Sequence, residues 1–280
     1  MSWKIATVNE LNKVKKFLLK EEWQAVTVSE NLRLKLSGLF YPLRKQTEIY
    51  INEQAGELRD LLLFTSNGLI YPVFTSNPPD LNNIEDLINF PNRRVHSIMG
   101  LSRNVQAFLS TLNLSYHFQV NYDFLCLDKV HFLPDSHHLA GCTIKKAKTR
   151  DRHKLFPLQK DYELEEVYLD PGNFQAHACL RNLKNKLSQQ KIYYLDKNGP
   201  IAKAGTNAQG FKVDQIGGVF TKKEFRNQGY SSFLMKFLLS QLFKTKEKIV
   251  LFVKPENLSA QRVYKKLNFK AIDQFQINYF

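Results

Sequence analysis

The chain has 280 residues, 43% of them hydrophobic and 12% aromatic, which is enough apolar material for folded cores, suits two domains of ordinary size, and excludes intrinsic disorder. No apolar run approaches the ~20 residues of a membrane span, and the start, MSWKIATVNELNKVKKFL, lacks the apolar core and cleavage site of a signal peptide, so the expectation is a soluble, cytoplasmic protein. The formal charge of +14 lies in one half: residues 1–141 hold 14 Lys and Arg against 14 Asp and Glu, while residues 142–280 hold 26 against 12, a field that draws anions without specifying which.

Leu11, Val14, Phe17 and Leu18 recur at helical spacing and predict a helix from Leu11 to Glu22, with a weaker one over Leu32 to Leu39. LRDLLLFTSNGLIYPVF reads as two strands around Ser66-Asn67-Gly68, a hairpin turn signal. Asn77-Pro78-Pro79-Asp80 breaks the chain; RVHSIMG then suits a strand, SRNVQAFLSTL a helix capped by Ser102, and HFQVNYDFLCLD a strand. Phe132 to Cys142 reads as a turn and linker, dividing the chain into residues 1–140 and 141–280. Beyond it, CTIKKA suits an edge strand, HKLFPLQKDYELEEVYL a helix capped by Thr149 or Asp151, and NFQAHACLRNLKNKLSQQ another helix. KIYYLD and PIAKAGTNA flank the turn Lys197-Asn198-Gly199-Pro200. KVDQIGGVF is a strand, RNQGYSSFLMKFLLSQLFK a helix, KIVLFVK a strand, NLSAQRVYKKLN a helix and FKAIDQFQINYF a final strand. The order β-α-α-β-β-β-α-β-α-β predicts an α/β fold, a mixed sheet flanked by helices. Cys126, Cys142 and Cys179 are widely spaced among apolar residues and read as buried thiols, neither disulfide-bonded nor metal-binding.

The informative stretch is IGGVFTKKEFRNQGYSSFLMKFL, Ile216 to Leu238. A helix starting just after a strand offers unpaired N–H groups and the positive end of its dipole to the gap between them, which suits phosphate. Gly229 admits a close approach of the backbone to a ligand, small Ser231 and Ser232 keep the first turn open, and Arg226 adds a positive charge. The pair Gly217-Gly218 weakens an ordinary strand and suggests a bulge or a splay. Further on, LFVKPENLSAQRVYKKLNF places Asn257 at the start of a second short helix that carries Tyr264.

Together, V-x-T-x4-R-x-x-G-x-S before a helix and N-x-x-A-x-x-V-Y-x-K-L-x-F after the next strand resemble the two cofactor motifs of the GNAT superfamily of acyl-CoA N-acyltransferases. The resemblance covers residues 142–280; PLQKDYELEEV and the run from Ala202 to Tyr230 also resemble a branch whose chains carry a degenerate GNAT-like amino-terminal half, so the implied architecture is a tandem GNAT-like fold. No R-x-x-G-x-G/A run occurs in residues 1–141. The resemblance implies acetyl-CoA as acyl donor, with Val219, Phe220 and Thr221 pairing with the pantetheine arm, Arg226, Asn227, Gln228, Gly229, Tyr230 and Ser231 holding the diphosphate, and Asn257 bonding the arm; Ser231 stands where the family usually has Gly or Ala. Lys222, Lys223, Lys265 and Lys266 are further phosphate candidates. Tyr264 is implied as the acid that protonates the leaving thiolate. The strand position where many relatives keep a catalytic glutamate holds Gln215, an amide that cannot take a proton, so Glu165 and Glu166, with Glu163 behind them, become the candidates for base, ahead of His177.

The expectation is thus an acetyl-CoA-dependent N-acetyltransferase acting directly on a primary amine, without a metal. Its rivals are an acyl-CoA-binding regulatory or scaffold protein without turnover, which Gln215 favours, and a nucleic-acid binder, against which the absence of a basic-aromatic platform argues. The acceptor, the base, the acyl chain, the oligomeric state and the role of the amino-terminal half are open at this stage; one expectation is that this half covers an edge of the catalytic sheet and walls the acceptor groove.

Overall fold

The computed structural model describes residues 3–37, 47–88, 93–134, 139, 141–168 and 170–280. Its twelve strands are β1 (Lys4–Ile5), β2 (Glu48–Gln54), β3 (Glu57–Phe64), β4 (Leu69–Phe74), β5 (Ser97–Leu101), β6 (Phe118–Asp128), β7 (Thr143–Lys146), β8 (Ile192–Asp196), β9 (Pro200–Gln209), β10 (Val213–Thr221), β11 (Lys248–Val253) and β12 (Lys270–Tyr279). The helices are α1 (Leu11–Glu21), α2 (Val26–Leu36), α3 (Ile84–Ile88), α4 (Ser102–Thr111), α5 (Arg152–Tyr162), α6 (Ala176–Gln189), α7 (Tyr230–Leu242) and α8 (Leu258–Lys266). The predicted order of elements in the carboxyl-terminal half holds throughout, and both Asn-Gly turns are present, with Gly68 and Asn198-Gly199 at positive φ. Differences are local. The second helix starts at Val26, six residues earlier than expected, and the predicted end at Leu39 lies outside the described residues. Ser102 is the first helical residue of α4, where Leu101 takes the cap position without a side-chain bond. β2 and α3 were not anticipated. The predicted linker includes residues 135–138 and 140, outside the described residues.

All twelve strands form one sheet in the order β1-β2-β3-β4-β5-β12-β6-β11-β10-β9-β8-β7. Its centre is an exchange: β6, from the first half of the chain, pairs antiparallel with β11 and β12, and β12, the last strand, pairs antiparallel with β5. The amino-terminal half therefore continues the sheet and does not cover its edge, which corrects the expectation. One apolar core spans both halves, with Val14, Leu18, Val26 and Leu32 packed in a cluster that also takes in Ala208, Val213 and Val250. Helices α7 and α8 build a second core on the other face, through Leu234, Leu238, Leu242 and Leu267.

Polar contacts reinforce the join. Glu22, just after α1 and 1% exposed, accepts hydrogen bonds from the backbone N–H groups of Phe211 (2.5 Å), Lys212 (2.7 Å) and Val213 (3.1 Å), the turn that launches β10. Glu30 of α2 accepts from Gln190 Nε2 and from the N–H of Gln209. A buried carboxylate that satisfies three amides is costly to replace. Glu22→Gln, which sets an amide N–H₂ against those donors, is expected to cost about 3 kcal/mol of stability by urea unfolding; a loss below about 0.5 kcal/mol would mean that the turn holds itself.

Candidate active site

β10 and β11 run parallel and pair only at Val213, Asp214 and Gln215 with Lys248, Ile249 and Val250. Past that point each strand keeps its outer partner, β9 or β6, and the inner edges of Ile216–Thr221 and Leu251–Val253 diverge. The cause lies in β10: its register with β9 slips between Gln215 and Ile216 and again between Gly217 and Phe220, and Gly218, at φ 64, takes the left-handed conformation that its lack of a Cβ permits. The amino-terminal half begins the same way, β4 and β5 pairing in parallel at Leu69–Ser97 and Ile70–Ile98, but there Tyr71 and Val105 close over Gly100.

At the mouth of the notch between β10 and β11, Asn227 (φ 61) and Gly229 (φ 83) turn the chain into α7, whose first turn receives no side-chain cap. Nothing lies within 4 Å of the place a Cβ on Gly229 would take. Tyr230 offers only its backbone N–H, because its ring is buried edge-on against Phe225 and its hydroxyl accepts from Lys197 Nζ at 3.1 Å. Phe220 is buried against Tyr162, and the buried Thr221 hydroxyl makes no hydrogen bond. Gln228 donates to the Glu224 carbonyl. Across the notch, Asn257 caps α8 by accepting from the N–H of Ala260 at 3.0 Å.

α5 ends in a π-helical turn, Glu163–Val167, whose carboxylates reach over the mouth. Glu165 bonds Arg226 Nη2 at 2.7 Å and lies 3.7 Å from Lys223 Nζ; Arg226 in turn donates from Nε to the Thr221 carbonyl. Glu166 accepts from Asn257 Nδ2 at 3.1 Å, and burial raises its pKa against the opposing pull of Lys254 and Asn257. Glu163 turns inward and accepts from Gln159. His177 is exposed on α6. Gln215 is 3% exposed, with no partner for Nε2, while its neighbour Asp214 pairs with Lys246 at 3.0 Å.

Tyr264 of α8 enters from the opposite face. It is 7% exposed, its ring meets Phe269 edge-on, and its hydroxyl has no hydrogen bond to any described residue. Burial, then Tyr162 and Glu166 nearby, hold its phenol far above the usual range. The sequence reading missed three residues here. Tyr162, half-buried below the π-helical turn, has its pKa raised to about 12 by burial and by Glu166 and Glu163. Tyr122 of β6, packed edge-on to Phe252, comes from the amino-terminal half and feels Tyr162 and Glu166. Lys203 is the single charged residue in the small and apolar run of β9, a signal that the sequence did contain.

Residues 207–277 match the family model described as FR47-like protein. No curated protein sequence matches the chain. Among solved structures, a Drosophila protein is 9% identical with a TM-score of 0.70 over 99% of this chain and 98% of that one. The tandem GNAT protein from the clavulanic acid biosynthesis pathway is 10% identical, with a TM-score of 0.61 over 99% and 97%. A GNAT-family acetyltransferase from Colwellia psychrerythraea is 12% identical, with a TM-score of 0.54 over the whole of both chains. At such identities the likeness is one of fold: the chain has the GNAT acyl-CoA N-acyltransferase fold, as a tandem of two halves.

Proposed function

We propose that the carboxyl-terminal half is an acetyl-CoA-dependent N-acetyltransferase that passes the acetyl group directly to a primary amine. The observation that carries this reading is the parting of β10 and β11 beyond Gln215, with an uncapped helix start after β10 and, on α8, the unbonded hydroxyl of the buried Tyr264 in the field of Glu166. Fit is a matter of space and unmade bonds. Gly229 has room where a phosphate would press, and the N–H groups of Tyr230 and Ser231 lead an uncapped helix. Arg226 stands next to them, and the edge of Val219–Thr221 lacks an inner partner. These residues and Asn257 would hold the donor, which supplies an activated acyl carbonyl and a thiolate leaving group.

The chain's own work is then to orient and to move protons. A phenol whose pKa is raised stays protonated through the neutral range, so Tyr264 acts as acid, delivering its proton to the departing sulfur. Tyr122, Tyr162 and Phe252 supply an aromatic wall on the acceptor side, one of them from the amino-terminal half. Calorimetry with acetyl-CoA, followed by a mass-spectrometric screen of amines, tests the reading; no heat and no protection against melting would end it. A second reading, an acyl-CoA-binding module without turnover, draws on Gln215 and is favoured if acetyl-CoA binds and no amine is acetylated.

Arg226 and Asn257 are already engaged by Glu165 and Glu166, so the donor has to displace these contacts. An exposed ion pair is worth about 0.2–1 kcal/mol. Glu165→Gln is therefore expected to tighten acetyl-CoA binding by about twofold to fivefold in calorimetry; weaker binding would show that Glu165 supports the site and does not compete for it.

A further inference from the structure

Lys203 is 5% exposed and forms no ion pair with a carboxylate among the described residues. Its Nζ donates to the Gly218 carbonyl at 2.8 Å and lies 4.1 Å from the centre of the Tyr162 ring. The titratable groups around it are Tyr162 and Glu163 from α5 and its π-helical turn, Cys179 and Lys186 from α6, and Tyr194, its register partner on β8. Burial first, and then Lys186, pull its pKa down to about 7, with Glu163 and Cys179 opposing them. A recess with about 20 Å³ of free volume, bordered by Gln159, Lys186, Asn207 and Gly217-Gly218, adjoins it, the room that one water needs.

The location matters more than the charge. Gly218 is the bulge residue, one peptide before Val219. The diphosphate site at the start of α7 lies beyond Thr221, so an arm laid along β10 from that end carries its thioester inward, toward Val219 and Gly218. Nζ of Lys203 is bonded to the carbonyl at that inner end. The other candidates for base are less well placed: Gln215 cannot accept a proton, and Glu165 and Glu166 stand against Arg226 and Asn257, the residues assigned to the donor, and away from the Gly218 carbonyl.

We propose that Lys203 is the general base of the transfer, its neutral amine taking the proton from the acceptor's ammonium group; this rests on the acyltransferase reading above. The balance is complete. Nζ of Lys203 accepts one ammonium proton, the freed nitrogen lone pair closes the N–C bond, and the C–S bond breaks. Tyr264 gives its proton to sulfur and regains one from the new amide nitrogen, and Lys203 returns its proton to solvent. The base form exists above the pKa, so kcat/KM for an ammonium acceptor rises as pH passes about 7 and is lost below it.

The test uses the full chain and Lys203→Arg, which keeps a donor for Gly218 but stays charged at every pH of the test and cannot take a proton. In protein carrying ¹³C at lysine Cε, one resonance that is missing from the variant is expected to titrate near pH 7. With 2-phenylethylamine as acceptor, the variant is expected to lose the rising limb and at least about a hundredfold in kcat/KM at pH 8. Hydroxylamine, unprotonated at neutral pH, should lose far less. A lysine resonance titrating only near pH 10, or a rising limb that survives in Lys203→Arg and disappears in Glu166→Gln, overturns the proposal. Failure of both proteins to bind acetyl-CoA in calorimetry would instead sink the acyltransferase reading, whereas intact binding with equal turnover sinks the role of Lys203 alone.

Discussion

Gly229→Val is expected to weaken acetyl-CoA binding by at least about a hundredfold in calorimetry while lowering the melting temperature by about 2–12 °C. Two separate costs produce that split. In the free protein a Cβ at position 229 meets nothing within 4 Å, so the main penalty is a β-branched residue held at φ 83, about 1–3 kcal/mol. At about 2–4 °C per kcal/mol in a chain of this size, the fold survives. In the complex the side chain would occupy the place of a diphosphate oxygen and part it from the first amides of α7. Each charge-assisted hydrogen bond lost costs about 1.5–3 kcal/mol, and two of them exceed a hundredfold in affinity. Binding retained in this variant would place the diphosphate elsewhere.

Tyr264→Phe is expected to lower kcat by about 10²- to 10⁴-fold, with acetyl-CoA affinity within about twofold of the parent. The hydroxyl makes no hydrogen bond to any described residue, so its removal orphans no partner and leaves stability unchanged. Because the phenol's pKa is raised well above the ordinary value, the deficit should stay constant across the neutral range and show no limb of its own. Steady-state kinetics beside calorimetry separates the outcomes. A deficit in affinity without one in kcat would make Tyr264 a packing residue, as its contact with Phe269 alone would suggest.

Local chemistry accounts for what the sequence made legible. Leu11, Val14, Phe17 and Leu18 mark the buried face of α1 because a helix repeats every 3.6 residues, and these four are its buried residues. Arg226, Gly229 and Asn257 could be named because a turn into a helix needs particular residue types at fixed offsets. Misses arose where distant packing decides. Val26 and Val28 read against a helix, since β-branched residues lose rotamer freedom there, yet both are buried in the shared core and begin α2. β2 was hidden by Asn52, a polar residue that the fold buries and bonds to the Asp80 carbonyl. Nothing in the text of β6 announces that it lies between β11 and β12, because a strand's partners are fixed by other strands' edges. Lys203 is visible as an odd letter in an apolar run, but its perturbed ammonium is made by α5, α6 and the bulge closing over it.

The exchange of β6 and β12 has a consequence for how the molecule comes into being. The portion synthesised first leaves the ribosome without the strand that lines its own β5, since that strand, Lys270–Tyr279, is made only after the other strands of the carboxyl-terminal half. Until β12 has been made, β5 presents an open edge. A gene cut near codon 140 would yield two fragments, each missing its middle and each carrying the other's missing piece, so that solubility would return only when both are made in the same cell.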